Sequence, residues 1–159
     1  MSGDILDECF RSFRRSAFRL ETLPAYAASG EAERIQAWRD GRARPERSVR
    51  TSEYLREVAT SVLAGQERVR VRIVDHPLSE YCRYQMAGYI ESAAAGEQIR
   101  IVVRSGGSEQ ARHDLEVVSD FWVFDQGTEH ERAVLLEYDA SGAFSGARLA
   151  TEPDLASCG

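Results

Sequence analysis

The segment "RVRVRIVD", residues 68–75, most constrains the fold because arginines alternate with aliphatic residues along it. A period of two places successive side chains on opposite faces of a β-strand and fits no helix. Residues 76–96 then carry apolar side chains at helical spacing, and "QIRIVVR", residues 98–104, is again rich in β-branched residues. This order predicts a βαβ unit with parallel strands and a right-handed crossover.

The first 65 residues are predicted to be mainly helical. Apolar residues recur at helical spacing from Leu6 to Leu20, which predicts an amphipathic helix from about Asp4 that ends before Leu23-Pro24. Residues 18–23 also alternate in character, so this last part could equally be a strand. Two more helices are predicted in "GEAERIQAWRDG" and in "TSEYLREVATSVLAG", the second capped by Thr51 or Ser52.

Three further strands are predicted after a polar loop, at residues 121–125, 132–138 and 143–149. The turn-forming run "DASG" joins the last two into an antiparallel hairpin. The predicted fold is therefore a single α+β domain with an α/β-like core over residues 1–159. A helical portion (1–65) packs on a mixed sheet (66–150) that contains the βαβ unit and the hairpin, and residues 151–159 form a tail.

Composition narrows the classes of function. All 20 basic residues are arginine, which excludes chemistry that depends on a P-loop, Schiff-base or kinase lysine. The net charge of -6 argues against direct binding of nucleic acid. No apolar run approaches the roughly 20 residues of a membrane span, and the N-terminus lacks signal-peptide features. Three widely spaced cysteines are typical of free thiols, and we expect a cytoplasmic protein.

No motif for metal binding or nucleophilic catalysis is present. His76, His113 and His130 do not occur at helical ligand spacing, and the chain has neither CxxC nor HExxH. "GAFSG" places its serine one position too late for a nucleophile elbow. We therefore predict no metal, no cofactor and no catalytic residue.

The connector "GRARPERSVR" is a candidate anion or partner patch. Four arginines stand within nine positions, just before a predicted helix N-terminus, namely Arg42, Arg44, Arg47 and Arg50. Guanidinium groups together with free helix N–H groups are what an anion site requires. The alternative is a solvated connector with scattered charge.

A second candidate site is a crevice at the carboxyl end of the first βαβ strand, where ligands of open α/β sheets collect. Its candidate ligand-binding residues are Arg72, Asp75, His76, Tyr81, Arg83 and Arg104, with Asp120 or Asp125 as further members. The alternative is structural: Asp75 caps the turn before Pro77, and Arg83 pairs with Glu80.

The arginine face of the first βαβ strand and the acidic ends of "DFWVFDQG" have structural interpretations. Arg68, Arg70 and Arg72 share one face of their strand, and we expect them to pair with acids of the covering helices. Asp120 and Asp125 fall on opposite faces, about 17 Å apart at the usual rise per residue. A cooperating acid–base pair needs about 5–10 Å, so they are not such a pair. The aromatic residues between them are predicted to fill a sheet buried on both sides.

Four blocks carry a resemblance to a known family: "FRSFRRSAFRLETLPAY", "EAERIQAWRDGRARPERS", "RVRIVDHPLSEYCRYQMAGYIESAAAGEQIRI" and "DFWVFDQ". Together they resemble an uncharacterised actinobacterial family, a domain of unknown function whose members are often encoded beside helix-turn-helix regulators. The order of elements followed by "DFWVFD" and "AVLLEY" is similar to half of a phospholipase D-like domain. That chemistry needs His-x-Lys, which a chain without lysine lacks.

These observations lead to two expectations of function. The first is a non-enzymatic regulatory or interaction protein that acts with a helix-turn-helix regulator or as a homodimer. It depends on the absent catalytic motifs, and on the contrast between an arginine-rich first part and an acidic second part. Residues 1–60 carry 11 arginines and 10 acids, whereas residues 61–159 carry 9 and 16. The second is a binding protein or enzyme for an anionic small molecule with phosphate or carboxylate groups, held in an arginine-lined crevice.

Overall fold

The computed structural model describes residues 2–27, 31–105 and 120–151. Within them are four helices: α1 (Ser2–Ser12), α2 (Ala32–Arg39), α3 (Glu53–Leu63) and α4 (Glu80–Ala94). They also contain six strands: β1 (Ser16–Glu21), β2 (Glu67–His76), β3 (Gln98–Ser105), β4 (Phe121–Phe124), β5 (Arg132–Tyr138) and β6 (Phe144–Leu149). None of these helices is long and apolar enough to cross a membrane.

The six strands form one mixed sheet in the order β3-β2-β1-β4-β5-β6. Strands β1, β2 and β3 are parallel to one another, and β4, β5 and β6 continue the sheet with antiparallel neighbours. The predicted βαβ unit is confirmed as β2-α4-β3, and the predicted C-terminal hairpin is confirmed as β5-β6. The fold is therefore the α+β class that the sequence predicts.

The predicted N-terminal helix is wrong beyond Ser12, and the strand alternative for residues 18–23 is correct over most of that stretch. Strand β1 begins at Ser16 and pairs with β2 on one side and β4 on the other, so it lies inside the sheet. The Asp125 carboxylate accepts hydrogen bonds from the backbone N–H groups of Arg14, Arg15 and Ser16. Partners this distant in sequence override a local helical pattern.

Helix α1 closes an apolar core against β4, β5 and β6. Trp122 and Phe124 of β4 meet Phe10 of α1 edge to face, with ring centroids 4.8 and 5.0 Å away. The remaining members of this cluster are buried aliphatic, aromatic and thiol side chains: Cys9, Phe13, Ala17, Val134, Leu136 and Ala147. Close-packed aromatic contacts of this kind stabilise the antiparallel part of the sheet.

Helices α1, α3 and α4 pack on the same face of the sheet, the face that carries Ala17, Arg70 and Trp122. We call it the helix-covered face. Within the described part of the chain, no helix packs on the opposite face, where Phe121 and Val123 are only half-buried. The prediction that this aromatic strand is buried on both sides therefore holds for only one of its faces. Trp122 and Phe124 lie on the helix-covered face and are buried, whereas Phe121 and Val123 lie on the other face.

Serine side chains cap the beginnings of α3 and α4, and the predicted cap of α3 is confirmed as Ser52. The Ser52 hydroxyl accepts the Leu55 N–H at the start of α3, and the Ser79 hydroxyl accepts the Cys82 N–H at the start of α4. Gly96, with a φ of 110°, follows the end of α4 and turns the chain into β3. These caps fix α4 over the sheet, where it forms one wall of the candidate site.

Candidate functional site

A cavity of about 730 Å³ opens on the helix-covered face, over Arg19 and Glu21 of β1 and Arg70 of β2. Its walls are α4, the beginning of α2, the connector between α2 and α3, and the tip of the β5-β6 hairpin. The volume lies within the range of about 300–1,000 Å³ typical of small-molecule sites. All six tyrosines of the chain line it: Tyr26, Tyr54, Tyr81, Tyr84, Tyr89 and Tyr138.

The floor of the cavity is a buried network around Arg70 of β2. Its guanidinium pairs with Glu21 of β1 and, at 2.5 Å, with Glu97, which precedes β3. Tyr54 of α3 donates a hydrogen bond to the same Glu97, and Tyr89 of α4 donates one to Glu21. Burial alone would raise the pKa of Glu21, but the charges of the nearby arginines, Arg70 above all, lower it to about 2. Glu21 is therefore ionised at neutral pH.

A second buried network joins β1 to the start of β4 beside this floor. Arg19 donates to the Tyr138 hydroxyl at 2.8 Å and lies 3.6 Å from the Asp120 carboxylate. Tyr26 donates its hydroxyl proton to Asp120, while its oxygen accepts the N–H of Thr22. Burial, together with the charge of Asp120, raises the pKa of Tyr26, so this phenol keeps its proton. These hydrogen bonds hold the Tyr138 and Tyr26 side chains in fixed orientations.

Three arginines gather around one carboxylate where α2, the connector and α4 meet, and two of them, Arg34 and Arg47, line the cavity. Three guanidinium groups surround the Glu91 carboxylate: Arg34 at 2.7 Å, Arg47 at 3.6 Å and Arg44 at 3.7 Å. Arg47 also donates to the Ser92 hydroxyl at 3.2 Å. One buried nitrogen of Arg44 has no hydrogen-bond acceptor among the described residues. This cluster has more N–H donors than Glu91 can satisfy.

A carboxyl group at the beginning of α2 faces the same cavity. Tyr81 of α4 donates to Glu31 at 2.9 Å. Burial raises the pKa of Glu31, and this outweighs the opposing effects of that hydrogen bond and of Arg47 and Arg34. The cavity therefore combines surplus guanidinium groups with a carboxyl group that is easier to protonate than usual.

A family model described as Domain of unknown function (DUF6879) matches residues 4–158. The chain belongs to this family. No curated protein and no solved structure matches the chain. The match runs through the whole sheet and every wall of the cavity, so the site described above lies within the DUF6879 domain.

The crevice predicted at the end of β2 is divided between the two faces of the sheet. Tyr81 lines the cavity, and Arg72 is buried beside it, where it donates to Gln85 and lies 5.3 Å from the Tyr26 ring centroid. Asp75 and Arg104 pair with each other at 2.7 Å. Successive side chains of a strand lie on opposite faces of the sheet. Asp75 is three residues after Arg72 and therefore lies on the opposite face.

The remaining candidates of that crevice lie apart from the cavity or at its margin. His76 and Arg83 are exposed, and Glu80, the partner suggested for Arg83, binds Arg39 at 2.8 Å. Asp120 joins the floor through Tyr26, as described above. Asp125 instead holds the backbone at the start of β1, so the two aspartates contact opposite ends of that strand.

The predicted arginine patch of the connector is also divided. Arg42 pairs with Asp40 at 3.0 Å, and Arg50 pairs with Glu46 at 2.5 Å, both on the exposed side. Arg44 and Arg47 instead turn inward to Glu91. Arg47 of this patch and Tyr81 of the predicted crevice therefore line one cavity, although the sequence suggested two separate sites.

The sequence interpretation missed Arg19, Glu21 and Glu31 as members of the site. Arg70 does pair with acids, as expected, but those acids come from β1 and from the turn before β3, not from the covering helices. The alternation in residues 18–23 was the one signal for Glu21, since a strand there places it beside the arginines of β2. No local pattern marks Glu31, which depends on the packing of α2 against α4.

Proposed function

We propose that this protein binds an anionic small molecule, bearing a phosphate or carboxylate group, in the tyrosine-lined cavity. The observation that carries the proposal is that Arg34 and Arg47, which line the cavity, share the single carboxylate of Glu91 with a third arginine, Arg44. An anion placed there accepts hydrogen bonds from guanidinium groups that have donors to spare. Arginine forks match the planar or tetrahedral oxygens of such groups.

The rest of the cavity favours a ligand that is polar beyond its anionic group. Tyrosine hydroxyls can donate to or accept from a ligand, and their rings offer flat apolar surfaces. Tyr81 and Tyr84 form an edge-to-face pair with centroids 5.9 Å apart, and Tyr138 and Phe144 of the β5-β6 hairpin form another. Glu31 is placed to accept a hydrogen bond from a hydroxyl or amino group of the same ligand.

A thermal-shift screen tests the binding proposal. The probes are inorganic phosphate, a nucleoside monophosphate, a sugar phosphate and a dicarboxylate. A ligand at one hundred times its Kd stabilises the folded protein by about 2.7 kcal/mol, which raises Tm measurably. A flat response to every probe would remove the proposal.

Two arginine variants from the same connector locate the anion. Arg47→Met removes an inward guanidinium and should abolish the ligand-dependent rise in Tm. Arg42→Met is the matched control because Arg42 is exposed and pairs with Asp40, so its rise should equal that of the wild type. Equal responses of both variants would place the ligand elsewhere.

We also propose a regulatory role in the cytoplasm beside a helix-turn-helix regulator. The family resemblance supports this proposal, and so does charge: the second part of the chain carries 16 acids against 9 arginines, which suits a basic DNA-binding partner better than DNA itself. Tagged protein should co-purify with the regulator from its native host. Recovery of the tagged protein alone at physiological salt would count against this role.

A further inference from the structure

Strand β3 forms one edge of the described sheet and exposes apolar side chains on both of its faces. Three consecutive residues are open to solvent: Ile101 by 38%, Val102 by 46% and Val103 by 55%. Among the described strands only β2 pairs with β3, so the outer backbone groups of β3 have no strand partner there. A long, apolar edge strand is a template for pairing with another strand.

The apolar surface continues from β3 onto α4. This helix packs on β3, and its Ile90 is 74% exposed. The helix and the side chains of Ile101 and Val103 are on the same side of the sheet, the helix-covered face. Contiguous apolar patches on a soluble protein mark interaction sites more often than scattered exposed residues do.

The opposite edge of the described sheet is built differently. Strand β6 is shorter than β3, and its pairing with β5 is interrupted by an irregularity at Glu137 and Tyr138. Its exposed apolar residues, Phe144 and Leu149, stand at its two ends. Short and irregular edges discourage strand addition. Of the two edges, β3 is therefore the one suited to pairing.

We infer that a second copy of this chain pairs with β3 in antiparallel orientation, so that two sheets join into one. A two-fold axis normal to the sheet at Ile101 brings this residue opposite the partner's Ile101. Ile99 then lies opposite the partner's Val103, which keeps the helix-covered face apolar across the junction. The same strand thus supplies both halves of the interface.

The charges of β3 fit this register as well. Arg100 lies opposite the partner's Val102, and Gln98 lies opposite the partner's Arg104, so no arginine directly faces another. A register shifted by one residue on each strand would place Arg100 opposite the partner's Arg104. Like charges in directly opposite positions are destabilising, which selects the axis at Ile101.

The size of the interface requires α4 as well as the strand. A stable interface buries about 800 Å² on each partner, more than one edge strand supplies. The exposed Ile90 widens the apolar contact on the helix-covered face. This inference goes beyond ligand binding and does not depend on it, because β3 does not line the cavity.

Molar mass in solution tests the inference with the full chain. Light scattering at micromolar concentrations should give twice 17.8 kDa for the wild type. Ile101→Asp should halve that mass, since it places two carboxylates against each other at the axis. Leu149→Asp, at a residue 47% exposed on the other edge, is the matched control and should leave the dimer intact.

A cross-linking experiment tests the register without a destabilising charge. Ile101→Cys, in a Cys158→Ser background, should give a covalent dimer with a short bifunctional thiol reagent, while Phe144→Cys should not. Cys9 and Cys82 are buried and do not compete. A monomeric wild type, a dimer that survives Ile101→Asp in a folded protein, or no cross-link from Ile101→Cys would each overturn the inference.

Discussion

The helix-covered face has two halves that are filled in opposite ways. Under α1, the strands β4, β5 and β6 present aromatic and aliphatic side chains such as Trp122 and Phe124, which pack into one apolar cluster. Under α3 and α4, strand β2 presents Arg68, Arg70 and Arg72, and the cavity lies above this half. The same sheet therefore has an apolar half and an arginine half.

Strand β1 lies at the boundary and belongs to both halves. Ala17, near its beginning, is part of the apolar core, whereas Arg19 and Glu21, further along the same face, join the polar networks. Apolar side chains can close a gap in many orientations, but hydrogen-bonded charges need fixed directions. The cavity therefore occurs in the arginine half, where side chains held by hydrogen bonds cannot shift to fill the space.

Buried ion pairs are also poor evidence of a purely structural role. Desolvation of the charges offsets most of their attraction, so well-packed apolar residues of similar volume stabilise a fold as well or better. The chain uses such residues in one half and not in the other. This contrast supports a functional purpose for the arginine half.

The largest expected effect comes from removing Arg70. Arg70→Met leaves the buried carboxylates of Glu21 and Glu97 without their shared partner, and breaking a buried pair costs about 3–5 kcal/mol. We expect a loss near the upper end of that range in urea unfolding. The matched control is Arg50→Met, whose guanidinium pairs with Glu46 at the exposed surface, so its loss should change the stability little.

A rescue variant tests whether the unpaired buried carboxylates cause the loss of stability in Arg70→Met. Adding Glu21→Gln and Glu97→Gln to Arg70→Met removes both carboxylate charges and should recover a large part of the lost stability. If the triple variant is less stable than Arg70→Met alone, packing and not charge governs the arginine half.

Phe124→Ala tests the apolar half of the comparison. Phe124 is fully buried and contacts Phe10 and Trp122, so its truncation should lower the free energy of unfolding by about 4 kcal/mol. Urea unfolding with Leu149→Ala as an exposed control measures this. The cavity should still bind its ligand where the variant remains folded, because Phe124 does not line it. A parallel loss of binding would show that the two halves are not independent.

Part of the pH dependence of stability should come from Glu21 in the arginine half. The pKa of Glu21 is about 2 in the folded protein and 4.5 without these neighbours, so its ionised form stabilises the fold above pH 4.5. This contribution is lost as the pH falls from 4.5 towards 2, and it amounts to about 3 kcal/mol at 1.36 kcal/mol for each pKa unit. Urea unfolding across this range should show a smaller acid loss for Glu21→Gln than for the wild type. The exposed Glu57→Gln should behave like the wild type.

The elements of the fold followed from local patterns where those patterns were unambiguous. The arginine–aliphatic alternation of β2 and the capped helical stripe of α3 each admitted one interpretation, and both are confirmed. Residues 18–23 satisfied two periodicities. Their pairing with β2 and β4, together with the distant Asp125, decided between them, and no local window contains that information.

The candidate site was predictable in residue type but not in assembly. Arginines and a tyrosine were expected to bind an anion, and Tyr81 and Arg47 do line the same cavity. Asp75 was placed in the site by its position in the chain, although strand alternation turns it to the other face. Which connector arginines turn inward depends on Glu91, a residue of α4 that no motif connects to them.

The smallest expected effect has the opposite sign from the others. Gly88 lies inside α4 and lines the cavity, and a Cβ added there meets no atom within 4 Å. Gly88→Ala should therefore stabilise the protein by about 0.5–1 kcal/mol, because alanine loses less backbone entropy in a helix. In the apolar half, the added volume of Ala17→Leu should instead cost about 1–3 kcal/mol through overpacking.

Thermal unfolding of the two variants, each with and without ligand, gives the sharpest form of the comparison. Gly88→Leu extends the same test, since its side chain occupies the space that the ligand needs and should remove the ligand-dependent rise in Tm. Ala17→Leu should lower Tm but keep that rise. If Gly88→Ala is destabilising, or if Gly88→Leu binds as well as the wild type, the space beside α4 is not open to a ligand. The arginine half would then be a packed polar core and not a binding site.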